Sequence, residues 1–175
     1  MVFGTGASPH EPSAESSTMK SIKGNRPVLA PVDFSAHSQA ALLKACELAE
    51  CTHQPLTILH VIHDPAEMPG YYGQVTKEEK LSRIEDLARE AYDDFLRSTI
   101  EQHPEVKMLK KAQNMLVLGL PVTRILEVVE KTHASMVVMG SQGRSGLAHL
   151  MLGSKAEQVV RLCPVPVLIV KTTAN

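Results

Sequence analysis

Tryptophan is absent from this 175-residue chain, and phenylalanine and tyrosine number three each. So few aromatic rings leave little surface on which bases could stack, and a formal net charge of −1 supplies no long-range attraction to phosphate backbones or anionic lipid. Neither nucleic acid nor a membrane surface is an expected partner. Cysteine is also scarce: Cys46, Cys51 and Cys163 make an odd number with no CxxC pair, which favours reduced thiols over a zinc site or a disulfide framework. No apolar run approaches the roughly 20 residues needed to span a bilayer. The first residues lack the basic-then-apolar layout of a secretion signal, so the expected compartment is the cytoplasm.

What is present is the composition of an ordinary globular domain, 43% hydrophobic and 21% charged, at a length that fits one core. Residues 1–26 are rich in Ser, Gly, Pro and charge without regular apolar spacing, and are expected to form a flexible tail; residues 27–175 are expected to form the domain. Val28 to Val32 is a short apolar run ending at Asp33, suited to a strand buried on both faces. Ser35 then caps a helix whose stripe is Ala41, Leu42, Ala45, Leu48 and Ala49. Leu56 to Ile62 is a second strand, and residues 63–75 form a loop. Thr76 and Glu79 make a capping box ahead of a helix with the stripe Leu81, Ile84, Ala88, Ala91 and Phe95.

Met115 to Leu118 ends a third strand, and Gly119 and Pro121 mark the turn into a helix buried through Val122, Ile125, Leu126 and Val129. Ser135 to Met139 is the fourth strand, Ala156, Val159, Val160 and Cys163 are the stripe of a last helix, and Val165 to Val170 is the fifth strand. Strands alternating with helices of this length predict an α/β fold with a parallel sheet and right-handed crossovers.

In an open parallel sheet, ligands sit beyond the carboxyl ends of the strands where strand order reverses. Of the segments at such ends, MGSQGRSGLAHLMLGSKAEQ carries the most chemistry. Gly140, Gly143 and Gly146 follow a buried strand, and Gly153 and Ser154 precede a helix. Glycines let consecutive amides turn inward as an anion-holding nest, and a helix N-terminus adds N–H groups without intrahelical acceptors. Two such features in one segment suit a di- or triphosphate. The order Gly153, Ser154, Lys155 excludes GxxxxGK[ST], and GSQGRSG is not GxGxxG, so neither the P-loop nor the usual dinucleotide fingerprint applies.

Gly140, two residues, Gly143, nine residues, then Gly153 and Ser154 reproduce the G-x2-G-x9-G-[S/T] pattern of ATP-binding universal stress proteins. PVLAPVDFS and LTILHVI match that family's first two strands, and the resemblance spans residues 27–171. It implies a five-stranded parallel sheet in the order 3-2-1-4-5, Rossmann-like and related to the adenine nucleotide alpha hydrolase-like fold, usually dimeric, with ATP across the carboxyl ends of strands one and four; Mg2+ is expected to accompany the triphosphate, with no protein ligand set named. By resemblance, Asp33 bonds the adenosine part, Pro31, Val32 and Val61 line the adenine, and Met139 and Gly140 approach the ribose. Gly143, Gly153, Ser154 and the Lys155 amide hold phosphates. The Lys155 side chain either adds a phosphate contact or points to solvent, and Arg144 either neutralises the terminal phosphate or is solvated.

His149 reads as an exposed loop residue rather than a base, and His60 as a core or site-wall histidine, on the opposite strand face from His63. If the fifth strand is a sheet edge, a two-fold copy packed on Val165, Val167 and Ile169 would protect it, which makes a homodimer an expectation. The function expected is that of a nucleotide-dependent stress-response sensor or adaptor with at most slow hydrolysis. The alternatives are an adenylating or hydrolysing enzyme of related fold, for which DFSAHS supplies no evident base, a binder of AMP or a cyclic nucleotide, and a nucleotide-free dimeric interaction protein.

Overall fold

The structure, a computed structural model, describes residues 26–63, 77–143 and 152–172, with side chains from residue 83 onward in the second of these spans. The elements run β1 (Val28–Pro31), α1 (Ala36–Cys51), β2 (Leu56–Ile62), α2 (Lys77–Gln102), α3 (Met108–Lys111), β3 (Gln113–Leu118), α4 (Pro121–Thr132), β4 (Met136–Gly140), α5 (Ser154–Leu162) and β5 (Val167–Val170). They form one five-stranded sheet in the order β3-β2-β1-β4-β5, parallel at every pairing. Strand order therefore reverses between β1 and β4, and this places the crevice favoured for ligands at the carboxyl ends of those two strands.

Both faces of the sheet are covered, which is why the strands read as continuous apolar runs rather than alternating ones. On one face Val28, Ala30, Leu56, Ile58 and Val138 pack with Ala41, Leu42, Ala45 and Ala49 of α1 and with Tyr92 and Leu96 of α2. On the other, Leu29, Leu59, Val137 and Met139 pack with Ile125, Val128 and Val129 of α4 and with Ala156 and Val159 of α5. Each such Val, Leu or Ile contributes about 1.5–3 kcal/mol of burial free energy. Small residues line α1 because it lies directly over the centre of the sheet, and alanines let its axis come close.

Three helices differ in detail from the sequence reading. In α2 the buried positions are Tyr92, Leu96 and Thr99, while Ala91 is exposed. Ile84, Ala88 and Phe95 of the expected stripe are half-buried, with Phe95 packed on the core, and Tyr92 takes the place given to Ala91, its hydroxyl donating to Asn114 Oδ1 at 3.0 Å. In α5, Val160 is 46% exposed, and only Ala156 and Val159 are fully buried. The third is α3, a single turn that no periodicity announced. Arg26, assigned by composition to the tail, is anchored: its guanidinium donates to the carbonyls of His133 and Ala134 at 3.0 and 3.3 Å. The remainder of the expected tail, the capping residue Thr76 and most of the 63–75 loop lie outside the described residues.

Strand β5 is a sheet edge, as expected. Val165, Val167 and Ile169, the expected dimer contacts, are half-buried against the α4–α5 core of the same chain. The side chain this strand leaves outward is Leu168, at 40% exposure.

Candidate functional site

The chain leaving β1 makes a tight turn through Asp33, Phe34 and Ser35. Phe34 has φ +67°, a left-handed conformation that costs a non-glycine residue about 1–2 kcal/mol. Ser35 is the N-cap of α1, and its hydroxyl oxygen accepts from the Ser38 amide at 3.2 Å. The same hydroxyl donates to Asp33 Oδ1 at 2.6 Å, and the Ser35 amide donates to that oxygen at 3.2 Å. The Asp33 amide donates in turn to Ser38 Oγ at 3.3 Å. One carboxylate oxygen of Asp33 is thus held in an Asx-type turn.

The other carboxylate oxygen faces β4. A Cβ at Gly143 would stand 2.7 Å from Asp33 Oδ2, so the backbone after β4 passes directly over the carboxylate that follows β1. Strand order and the two turns together bring Asp33 and Gly143 to opposite lips of one crevice. At Gly140 the constraint has a different source: an added Cβ would stand 2.9 Å from both the carbonyl carbon and the oxygen of His37, in the first turn of α1. Gly140 is needed so that β4 and α1 can approach.

Gly153 is the N-cap of α5, with Ser154 at its first helical position. The Gly153 amide is engaged by its own chain, donating to Ser141 O at 2.8 Å, while the Ser141 amide donates to Val170 O at 2.9 Å. These two bonds fasten the entry and exit of the β4–α5 segment to each other and to β5. The first bond of α5 runs from the Glu157 amide to Gly153 O, so the amides of Ser154, Lys155 and Ala156 have no acceptor within the helix. The Lys155 side chain is exposed.

The residues expected to line the adenine, and Met139, expected near the ribose, are distributed over both faces. Val32 is buried at 5% exposure in the α1–α2 core, whereas Val61 packs against the α4–α5 core, as does Met139 at 8%. The sheet separates the Val32 side chain from those of Val61 and Met139, and Pro31 is half-buried at the end of β1. Asp33, Gly143 and Gly153 are brought into one neighbourhood with the start of α5. Arg144, Gly146 and His149 lie outside the described residues.

Sequence reasoning passed over the roles of Ser35 and Ser141, and it named His60 only as a core or site-wall residue. Ser35 was read as a cap and not as the group that orients Asp33, although a Ser two residues after an Asp is a recognisable turn signal. Ser141 acts through its backbone, which leaves no trace in residue type. His60 lies against the turn: its Nδ1 is 2.8 Å from Val32 O, and its ring stacks on Phe34 with centroids 4.2 Å apart. Tyr92, whose hydroxyl burial pushes above the usual phenol range with the Asp93 charge adding to the effect, stays neutral at the back of this cluster. Elsewhere in the core, burial pushes the Cys46 thiol up to about 12, which keeps it in the unreactive thiol form.

Among the described residues no group of three or more His, Cys, Asp or Glu is arranged to hold a metal ion, and no helix is long and apolar enough to cross a membrane. Comparison with known proteins agrees with this architecture. A universal stress protein of Bacillus subtilis is 32% identical over 148 residues, covering 82% of this chain and 97% of the relative. One from Methanocaldococcus jannaschii is 24% identical over 159 residues, covering 82% and 93%. Among solved structures, the universal stress protein UspA from Lactobacillus plantarum superposes with a TM-score of 0.68 at 23% identity, over 83% of this chain and 97% of that one. A universal stress protein crystallised in complex with cAMP superposes with a TM-score of 0.57 at 23% identity, over 85% and 98%. The profile of the universal stress protein family matches residues 24–171, and the chain belongs to that family.

Proposed function

We propose that this chain binds an adenine nucleotide, ATP in the first instance, at the carboxyl ends of β1 and β4, and that it acts as a nucleotide-dependent sensor or adaptor in a stress response. The observation that carries this reading is the meeting of the Asp33 carboxylate and the side-chain-free Gly143 at the point where strand order reverses. Asp33 takes a hydroxyl of the adenosine part, and its bonds to Ser35 fix its direction beforehand. Gly143 and the amides of Ser154 and Lys155 take phosphate oxygens, helped by the positive end of the α5 dipole. Gly153 contributes by shape, since its own amide is spent on Ser141. The cAMP-bound relative, of the same fold, supports an adenine nucleotide as the ligand class.

Any Mg2+ rides on the phosphate oxygens, because no set of three acidic or imidazole ligands exists among the described residues. No side chain among the described residues is committed to activating a water, so turnover is slow at most. A second copy of the chain covers the β5 edge through the half-buried Val165, Val167 and Ile169, with Leu168 as a further apolar contact. Sedimentation showing only monomer at micromolar concentration would remove that last element.

The test of the binding reading is to denature the purified full chain and identify any released small molecule by mass spectrometry. Release of an adenine nucleotide from the wild type and not from a folded Gly143→Val variant is expected. Equal nucleotide content in the two proteins would refute the assignment of this crevice.

A further inference from the structure

A single imidazole touches both neighbours of Asp33. The carbonyl of Val32 can only accept, so His60 carries its proton on Nδ1 and donates to the residue before Asp33 at 2.8 Å. Its ring stacks on the residue after Asp33: the Phe34 and His60 planes lie 26° apart at a centroid distance of 4.2 Å. Phe34 is held from two more directions by α2, with Phe95 at 5.4 Å and Tyr92 at 6.3 Å, and Tyr92 is itself anchored on Asn114 of β3. The residue so enclosed has φ +67°, in a region that aromatic residues seldom adopt and that persists only where the surroundings over-determine it. A glycine at this position would adopt the turn without strain.

We infer that His60 is a positioning residue of the nucleotide site: by bonding Val32 and stacking on Phe34 it holds the left-handed turn that aims the Asp33 carboxylate across the crevice at Gly143. This inference rests on the binding reading above, and it makes a distinctive demand. If His60 works by enforcing the backbone of Phe34, then a residue that takes that backbone freely makes His60 dispensable. If His60 only fills space, removing the Phe34 ring as well enlarges the gap and worsens the outcome.

The experiment compares ATP affinity by calorimetry for the full-length wild type, His60→Ala, Phe34→Gly and the double variant, with urea unfolding for each. His60→Ala is expected to weaken ATP binding about tenfold, the cost of one left-handed residue expressed as an equilibrium constant. The double variant is expected to bind several-fold tighter than His60→Ala alone. Wild-type affinity in His60→Ala, or a double variant weaker than His60→Ala, would overturn the inference. Should His60→Ala not fold, His60→Phe, which keeps a ring and loses the donor, is compared in the same way. If the wild type binds no ATP, the binding reading fails, and the ligand-free amide resonances of Asp33 and Ser35 decide this one. Displacement in His60→Ala with return in the double variant upholds it, and unmoved resonances overturn it.

Discussion

At Gly140 the space a Cβ would need is filled by the backbone of α1, and at Gly143, three residues on, it is filled by the tip of the Asp33 side chain. A helix backbone cannot retreat without moving the core beneath it, whereas a carboxylate can turn aside. Within one sequence pattern, then, the first glycine answers to packing and the second to the crevice. A glycine spacing that looks like a single binding signature is a composite, and its members are expected to fail differently when substituted.

The sharpest way to separate them is Gly143→Val. ATP affinity is expected to fall about 10- to 100-fold, as loss of a charge-assisted hydrogen bond of roughly 1.5–3 kcal/mol implies, while the urea midpoint stays close to wild type. Gly140→Ala should do the reverse. Overpacking against an immovable backbone costs about 1–3 kcal/mol of folding stability, read in urea unfolding, and calorimetry on the folded fraction should find ATP affinity near the wild-type value. If Gly140→Ala instead abolished binding in a protein of unchanged stability, the division between the two glycines would be wrong.

Asp33→Asn probes the other lip of the crevice. It keeps an oxygen for the Ser35 hydroxyl and amide but removes the charge, so ATP affinity is expected to fall about tenfold, since bonds to an ionised acceptor are about twice as strong as neutral ones. Calorimetry alongside unfolding checks that the loss is in binding and not in folding. Tyr92→Phe is the control on the far side of the cluster, where the hydroxyl contacts Asn114 and no proposed ligand group. Stability should fall by about 1 kcal/mol with ATP affinity unchanged. Because burial raises the Tyr92 pKa from 10.0, its contribution is fully present below that pH and is lost as pH rises toward the higher folded value. Unfolding curves for Tyr92→Phe should accordingly decline less steeply above pH 10 than those of the wild type, whose Tyr92 starts from 10.0 in the unfolded chain.

How far the sequence could be read follows the same line between side chains and backbone. The apolar runs of β1, β2 and β4 and the small-residue stripe of α1 are side-chain patterns, and they lead directly to a doubly covered parallel sheet. Asp33 and Gly143 were legible because the end of a strand and a missing side chain both show in residue type. The Gly153 amide donating to Ser141, and Gly140 pressed on His37, are backbone relations between segments far apart in the chain or joined by a loop, and no local pattern encodes them. In the stripe of α2 one position, Ala91, was misplaced: Ala91 and Tyr92 are both compatible with a helical face, and Tyr92 is the one buried, its hydroxyl on Asn114, 22 residues later. At Val165, Val167 and Ile169 apolar character marks residues that seek burial without saying which neighbour completes it, since the α4–α5 core covers them in part.

An NMR titration of the uniformly 15N-labelled chain with ATP bears most directly on the crevice between β1 and β4. The largest amide shifts should fall on Gly143, Ser154 and Lys155, with Asp33 and Ser35 following, while residues at the amino ends of the strands stay still. Saturating nucleotide that leaves those amides unmoved, or that shifts a separate surface of the protein, would contradict the account.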